Sequence, residues 1–186
     1  MRTEILLSGT GGQGLLMAGV LLGEAAVVYG GKNATQNQTY GVQARGGESA
    51  SEVIISDEDI SYAEIDQADV LVALAQSALN AYAPRIREGA VVIVDSSLVT
   101  DTAPVTKTDR IYAFPITNIA MDATGRAILA NVVSLGVVAA LTGVVDCDAL
   151  RREVARRAPA GTEEMNLRAL AGGIDAVQAM QGGAAV

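Results

Sequence analysis

The sequence predicts an α/β fold of three layers, in which a largely parallel sheet carries helices on both faces. Apolar, strand-like segments alternate along the chain with segments of helical periodicity. The strand-like segments are apolar throughout rather than at every second position, which is typical of strands buried on both faces of a sheet. With 186 residues, of which 50% are hydrophobic, the chain can bury the core of one domain.

In the first half of the chain, the hydrophobic pattern and the flanking residues predict each element in turn. The first helix follows the first strand and ends at Gly30, since glycine is common just after helices. The acidic segment 57–67 is predicted to contain a short helical turn that Ser56 or Asp57 caps. A later helix is predicted to end at Gly89, just before a buried strand. The predicted strands are 3–8, 35–40, 49–56, 69–74 and 90–95, and the predicted helices are 15–29 and 76–88.

The second half of the chain is predicted to be mainly helical. Asp146 is predicted to cap a helix that stops before Pro159, and Thr162, followed by two glutamates, to cap the last helix. Residues 1–180 are expected to form a single domain, and residues 181–186 a frayed tail. The predicted elements of this half are a strand over 111–114 and helices over 117–124, 128–142, 146–158 and 162–180.

The composition excludes several classes of function. The chain contains no histidine and one cysteine, Cys147. Catalytic serine–histidine and cysteine–histidine sites, common zinc sites and iron–sulfur clusters are therefore excluded. A net charge of −8, from 13 basic and 21 acidic residues, argues against binding to nucleic acid. No catalytic residue and no metal ligand is assigned to this chain.

Two apolar stretches, 15–29 and 128–145, are long enough to need a comparison with membrane spans. The first is too short and contains Glu24, and the second contains Asn131 and Ser134. Both are therefore interpreted as helices buried in a core or in a subunit interface. No secretory signal is evident at the amino terminus, so a cytoplasmic location without membrane attachment is expected.

A glycine-rich segment follows the first predicted strand and opens the first predicted helix, as in Rossmann-like domains. Glycines there can let a phosphate or another anion approach the helix terminus, or they can serve tight packing alone, and both interpretations stay open. An NAD site would need a carboxylate about 20 residues later, where the sequence is Asn33-Ala34-Thr35-Gln36. The segment consists of Gly9, Thr10, Gly11, Gly12, Gln13 and Gly14.

A second segment, residues 40–47, places an arginine beside paired glycines. A guanidinium next to approachable backbone suits a carboxylate or a phosphate, whereas a hairpin loop with a solvated arginine is the alternative. The candidate binding or interface residues in this segment are Tyr40, Gly41, Arg45, Gly46 and Gly47. The acidic residues that follow are interpreted as a solvated face or as a docking surface for a basic partner subunit.

Three further features have structural interpretations. Asp95 ends a buried strand, where it can bind a ligand or cap the next turn, and the cap is favoured. Cys147 lies between two aspartates, which disfavours a thiolate, so it is interpreted as inert. Arginines on the predicted helix 146–158 form a stripe that is either solvated or part of an inter-subunit salt bridge.

Five segments of the sequence, among them the glycine-rich segment and residues 40–47, together resemble the gamma subunit of 2-oxoacid:ferredoxin oxidoreductases. The resemblance covers about residues 3–177, and Val42 departs from it where the family often has proline. The form of the second segment is most similar to that of the 2-oxoglutarate branch, while branched-chain 2-oxoacids, pyruvate and indolepyruvate stay open as substrates. The matching segments are residues 9–14, 40–47, 51–56, 69–74 and 131–136.

The resemblance implies a single domain of the pyruvate/ketoisovalerate oxidoreductase gamma type in a larger complex. Such a complex uses thiamine diphosphate, Mg²⁺, iron–sulfur clusters and coenzyme A, none of them bound by this chain alone. It implies alpha and beta partner subunits, with a delta subunit left open, and electron transfer to ferredoxin through the complex. The two glycine-containing segments would supply assembly surface and part of the coenzyme A site. Homodimerisation of the isolated chain, a free-standing nucleotide- or flavin-binding protein, and a purely structural homo-oligomer stay open.

Overall fold

The computed structural model describes residues 1–40 and 47–183, with backbone alone at Thr39 and Tyr40. Within these residues, six strands form one sheet in the order β2-β3-β1-β4-β5-β6. Among these strands β3 alone runs against the others, so the predicted largely parallel sheet is confirmed. The strands are β1 (Arg2–Thr10), β2 (Asn33–Tyr40), β3 (Glu48–Ser56), β4 (Ala68–Ala73), β5 (Ile86–Asp95) and β6 (Ile111–Phe114).

Helices cover both faces of the sheet, but unequally. Five of the described helices, α1 and α3 to α6, pack their apolar residues on one face. The short helix α2 covers the other face together with loop residues such as Ile65 and Val99. The helices are α1 (Leu15–Val28), α2 (Gln76–Tyr82), α3 (Ile116–Thr124), α4 (Ala130–Thr142), α5 (Cys147–Arg157) and α6 (Glu163–Gly183).

Helix α4 is the apolar stretch that the sequence assigns to a core or to an interface, and it lies in the core. Its residues from Ala130 to Ala139 are all buried. It packs closely on α6, because a β-carbon at Gly136 would lie 2.3 Å from the carbonyl oxygen of Leu170, and one at Gly173 would lie 2.1 Å from that of Val133. None of the helices in the described part of the chain is long and apolar enough to cross a membrane.

Two predicted boundaries are wrong in the middle of the chain. The helix predicted over 76–88 stops at Tyr82, followed by a 3₁₀ turn over Ala83–Arg85, because Pro84 has no N–H to continue an α-helix. The next three residues already belong to β5, so Gly89, with φ +73°, lies within a strand and not after a helix.

The helical turn predicted in the acidic segment is also wrong. The Ser56 hydroxyl does accept a hydrogen bond from the N–H of Glu58, at 3.0 Å, but no helix follows it over the described residues 57–67. Contacts with β3 and with the 3₁₀ turn hold this segment instead, since the N–H of Ile65 donates to the Glu52 carboxylate and Arg85 donates to the Ile65 carbonyl.

In the last two helices, the start of α5 agrees with the prediction, whereas the end of α6 differs from it. The Asp146 carboxylate accepts hydrogen bonds from the N–H groups of Asp148 and Ala149, at 2.9 and 3.0 Å, as the predicted helix cap requires. Helix α6 continues through Gly183, so the last turn of the helix includes three residues that are predicted to be in the tail.

Candidate functional site

The glycine-rich segment lies where the parallel strands end, at the edge of the sheet where open α/β sheets bind ligands. It forms a turn from the end of β1 at Thr10 to the first residue of α1. Gly12 and Gly14 have φ values of +93° and +71°, which are strained for any residue with a side chain. The strand–turn–helix context that the motif predicts is therefore present.

Gln13 holds this turn in place through its side-chain amide. Its Oε1 accepts a hydrogen bond from the N–H of Thr10 at 2.7 Å, and its Nε2 donates to the carbonyl of Leu74 at 3.0 Å. A β-carbon at Gly9 would lie 2.2 Å from Gln13 Oε1. Gly9 is thus a glycine because the Gln13 amide lies against it, and the amide connects the turn to the end of β4.

Asn131, at the start of α4, fixes the other end of the turn. Its Nδ2 donates to the carbonyl of Gly14 at 3.0 Å, and a β-carbon at Gly14 would lie 2.5 Å from that nitrogen. The sequence pattern does not reveal this role, although a buried amide inside an apolar helix is a signal for such a bond. Packing within the chain therefore accounts for Gly9 and Gly14.

Packing within the chain does not account for Gly11. Its φ lies outside the left-handed region, and a β-carbon there would meet nothing within 4 Å. Gly12 needs its positive φ but likewise has open space around it. Both residues are exposed, so the turn presents bare backbone to its surroundings. The two interpretations of the motif thus hold for different glycines. Gly9 and Gly14 serve packing within the chain, whereas Gly11 and Gly12 leave the backbone open to approach from outside.

The structure brings the last residue of the second candidate segment, Gly47, to the same place. The N–H of Gly11 donates to the carbonyl of Gly47 at 3.2 Å. Thr10 pairs with Glu48 across β1 and β3, and Tyr40 pairs with Ser49 across β2 and β3. Gly47 therefore lies against the glycine turn and Tyr40 lies on the far side of β3 from it, while Gly41, Arg45 and Gly46 lie outside the described residues.

The sheet order makes the turn a poor dinucleotide site. β3 separates β1 from β2, and no residue of β2 is acidic. Glu48 begins β3 beside the end of β1, but it shares the α2 face with Ala50 and Ile54, whereas α1 packs on the opposite face. A carboxylate placed there lies across the sheet from a ligand at the start of α1.

Asp95 acts as a cap, as predicted. It is fully buried, and its two oxygens accept hydrogen bonds from the N–H groups of Ser97 and Thr117, both at 3.0 Å. The Thr117 hydroxyl also donates to it. Asp95 thereby caps the start of α3 as well as the turn after β5. Both oxygens are occupied, so the carboxylate is not a ligand group.

The arginines of α5 are exposed, as the predicted solvated stripe requires, but two of them, Arg156 and Arg157, also form ion pairs with α1 within the chain. Arg156 binds Glu153, which is fully buried, and Glu24 of α1, at 2.7 and 2.8 Å. Arg157 also binds Glu24, and this guanidinium is the main reason that the pKa of Glu24 falls from 4.5 to about 2. The network joins α1 to α5.

Metal and thiol chemistry find no support in the described part of the chain. No group of three or more acidic, histidine or cysteine side chains among residues 1–40 and 47–183 could hold a metal ion. Burial raises the pKa of the Cys147 thiol, and Asp146 raises it further. A thiol with a raised pKa is a weak nucleophile at neutral pH, which agrees with the predicted inertness of Cys147.

Comparison with known proteins confirms the resemblance that the sequence motifs indicate. A 2-oxoglutarate synthase subunit KorC of Methanocaldococcus jannaschii is 46% identical over 94% of this chain and 94% of its own length. A ketoisovalerate oxidoreductase subunit VorA of Methanothermobacter marburgensis is 36% identical over 92% of this chain but only 36% of that protein. The crystal structure of the gamma subunit of a keto/oxoacid ferredoxin oxidoreductase from Geobacter sulfurreducens is 44% identical, with a TM-score of 0.86 over 96% of this chain and 98% of that one.

These similarities cover the fold, the glycine turn and the helices that pack on it. Residues 4–176 match the pyruvate ferredoxin/flavodoxin oxidoreductase family. The chain therefore belongs to the pyruvate ferredoxin/flavodoxin oxidoreductase family, with the fold of its gamma subunits.

Proposed function

We propose that the chain is the gamma subunit of a thiamine-diphosphate-dependent 2-oxoglutarate:ferredoxin oxidoreductase and has no activity alone. The complex would convert 2-oxoglutarate and coenzyme A to an acyl-CoA and CO₂, with two electrons passing to ferredoxin. The observation that carries the choice of substrate is the near full-length match to a 2-oxoglutarate synthase subunit, which is closer than the match to the ketoisovalerate enzyme.

The side chains of this subunit require partners for the chemistry. One cysteine and no histidine cannot ligate an iron–sulfur cluster, so the donor set does not fit that group. Thiamine diphosphate with its Mg²⁺ would supply the carbanion chemistry from the alpha and beta subunits. The contribution of this chain would then be the placement of backbone and surface against those subunits.

The glycine turn is proposed to border the coenzyme A site or the interface next to it. Its exposed glycines leave the backbone approachable, and α1 begins with N–H groups that have no side-chain cap and no acidic neighbour in the first turn. These features suit a phosphate or another anion. Arg45, in the neighbouring segment of the sequence, is proposed to supply a guanidinium for the same anion.

The proposal is tested by purifying the complex through this chain and assaying ferredoxin reduction with different 2-oxoacids. We expect a reaction that requires coenzyme A and is fastest with 2-oxoglutarate. Pyruvate, 2-oxoisovalerate and indolepyruvate serve as the alternative substrates. A complex that prefers one of these would overturn the choice of substrate. A chromophore bound tightly by the isolated chain would favour a free-standing flavin protein instead.

The role of the glycine turn is tested with Gly12→Ala and the matched control Gly31→Ala. Both glycines have positive φ, at +93° and +63°, and both have open space where a β-carbon would lie. They stand at opposite ends of α1, and each substitution should cost about 1–2 kcal/mol of stability. We expect only Gly12→Ala to raise the KM for coenzyme A in the complex. Equal KM values for the two variants would leave the positive φ of the turn as the sole role of Gly12.

A further inference from the structure

The segment 131–136 lies in the first half of helix α4, and the proposed function leaves it without a role. Helix α4 is buried over most of its length, and it is held against α6 where Gly136 and Gly173 leave no room for a side chain on either helix. Asn131, at the start of α4, is itself only 7% exposed. A polar side chain in packing of this density is fixed by its neighbours, so its position is set by the core of the domain.

Both ends of the Asn131 amide are hydrogen-bonded. Its Oδ1 accepts from the N–H of Val132 at 2.8 Å, and its Nδ2 donates to the carbonyl of Gly14 at 3.0 Å. The hydroxyl of Ser134 donates to the backbone carbonyl of Asn131 at 2.7 Å. The reverse orientation of the amide would set an oxygen against the Gly14 carbonyl and a donor against the Val132 N–H, so the amide has one orientation, with its donor on Gly14.

The Gly14 carbonyl is the group from which α1 starts. It also accepts from the N–H of Ala18 at 3.1 Å, which is the first hydrogen bond of that helix. Because the C=O and the N–H of a trans peptide point in opposite directions, the two bonds on the Gly14 carbonyl fix the direction of the Leu15 N–H. That N–H has no partner among the described residues. Asn131 thus helps to set where the first free N–H group of α1 points.

The place of this hydrogen bond argues for more than helix packing. A bond that only joined α1 to α4 could lie anywhere along their contact, whereas this one lies on the single carbonyl from which α1 starts. Gly14 has a positive φ, and a β-carbon there would lie 2.5 Å from the Asn131 nitrogen. The turn therefore has no side chain at the position that receives the amide, while Gln13 holds the other end of the turn.

We propose that Asn131 is a positioning residue for the anion site at the glycine turn. The inference rests on the proposed function, in which the anion is a phosphate group of coenzyme A. Asn131 contacts no ligand atom itself, but it fixes the Gly14 peptide, so that the free N–H groups at the start of α1 are already oriented when the phosphate binds. Donors that need no reordering cost less on binding, so loss of Asn131 weakens affinity without removing any donor.

The test compares Asn131→Ala with the matched control Asn166→Ala in the complex. Asn166 also donates from its Nδ2 to a carbonyl at the start of a helix, that of Thr162 just before α6, at 2.9 Å. Each variant loses an amide-to-carbonyl bond, so thermal unfolding should show similar losses of stability. We expect Asn131→Ala alone to raise the KM for coenzyme A, by about tenfold, while the KM for 2-oxoglutarate stays unchanged.

A second variant and a second measurement keep the test independent of one substitution and of the assay. Asn131→Asp keeps the acceptor for the Val132 N–H but has no donor for Gly14 when it is ionised, so the same rise in KM is expected. Amide exchange of the isolated chain needs no enzyme activity. We expect the N–H of Ala18, which shares the Gly14 carbonyl, to exchange faster in Asn131→Ala than in Asn166→Ala.

Three outcomes would overturn the inference alone. One is an equal KM for coenzyme A in the Asn131 and Asn166 variants of a complex that depends on coenzyme A. Another is an equal rise in the KM for both substrates, which would assign Asn131 to folding only. The third is an equal exchange rate of the Ala18 N–H in the two variants. A wild-type complex that does not respond to coenzyme A would instead refute the proposed function, and the inference with it.

Discussion

Substitution of Gly11 by alanine is expected to stabilise the fold and, at the same time, to weaken binding at the glycine turn. Gly11 has an ordinary φ, and a β-carbon there meets nothing within 4 Å, so the chain itself gives no reason for glycine. The added methyl should stabilise the isolated chain by about 0.4–1 kcal/mol, because it restricts the unfolded state. A ligand or partner subunit that contacts the exposed backbone would be held away by the added methyl. A loss of about 1.4 kcal/mol in this interaction corresponds to a tenfold fall in kcat/KM.

The assay for this variant combines urea unfolding of the isolated chain with coenzyme-A-dependent ferredoxin reduction by the complex. We expect higher stability together with about a tenfold loss in kcat/KM for coenzyme A. Gly182→Ala is the control, since Gly182 has an ordinary φ and open space but lies in the last turn of α6. A Gly11→Ala complex as active as the Gly182→Ala complex would refute the reasoning.

Three further predictions concern Gln13 in the glycine turn, Glu24 in the network between α1 and α5, and the Cys147 thiol. Replacing Gln13 by alanine removes two hydrogen bonds and should cost about 2 kcal/mol in urea unfolding; a cost near zero would contradict its role in holding the turn. Glu24→Gln should cost about 1–2 kcal/mol at pH 7, a figure reduced for the partial exposure of the side chain. Because the pKa of Glu24 is lowered from 4.5 to about 2, this difference between wild type and variant should be full above pH 4.5 and fade as the pH falls towards 2. Glu164→Gln, which removes an exposed ion pair with Arg168, is the control and should cost under about 0.5 kcal/mol; a Glu24 difference that does not change with pH would contradict the assignment. The Cys147 thiol, with its raised pKa, should alkylate slowly at pH 7 until the chain is unfolded, and fast labelling of the folded chain would contradict its inertness.

The fold was predictable where local patterns and tertiary packing agree. The buried strands and the Asp146 cap follow from apolar runs and from short-range capping bonds. The helix end at Tyr82 differs from the predicted end at residue 88, because the effect of Pro84 outweighs the helical pattern around it. The acidic segment could not be predicted, because contacts with Glu52 and Arg85 from elsewhere in the chain decide its path.

The candidate site was predictable as a location but not in its internal roles. The glycine motif indicates a turn at the end of a strand, and the structure has it there. The packing role of Gly9 depends on Gln13, and that of Gly14 depends on Asn131. Asn131 lies 117 residues from Gly14 in the sequence. Distant contacts of this kind leave no periodic signal, so only the folded chain distinguishes the packing glycines from the exposed ones.

We propose, above all, that this chain provides a binding surface for partner subunits and that those subunits carry the reactive groups. The most direct measurement adds the purified chain to partner subunits prepared without it and follows ferredoxin reduction with 2-oxoglutarate and coenzyme A. We expect no turnover by the chain alone, and activity that rises with added chain until the partner subunits are saturated. Turnover by the chain alone, or full activity of the other subunits without it, would contradict the account.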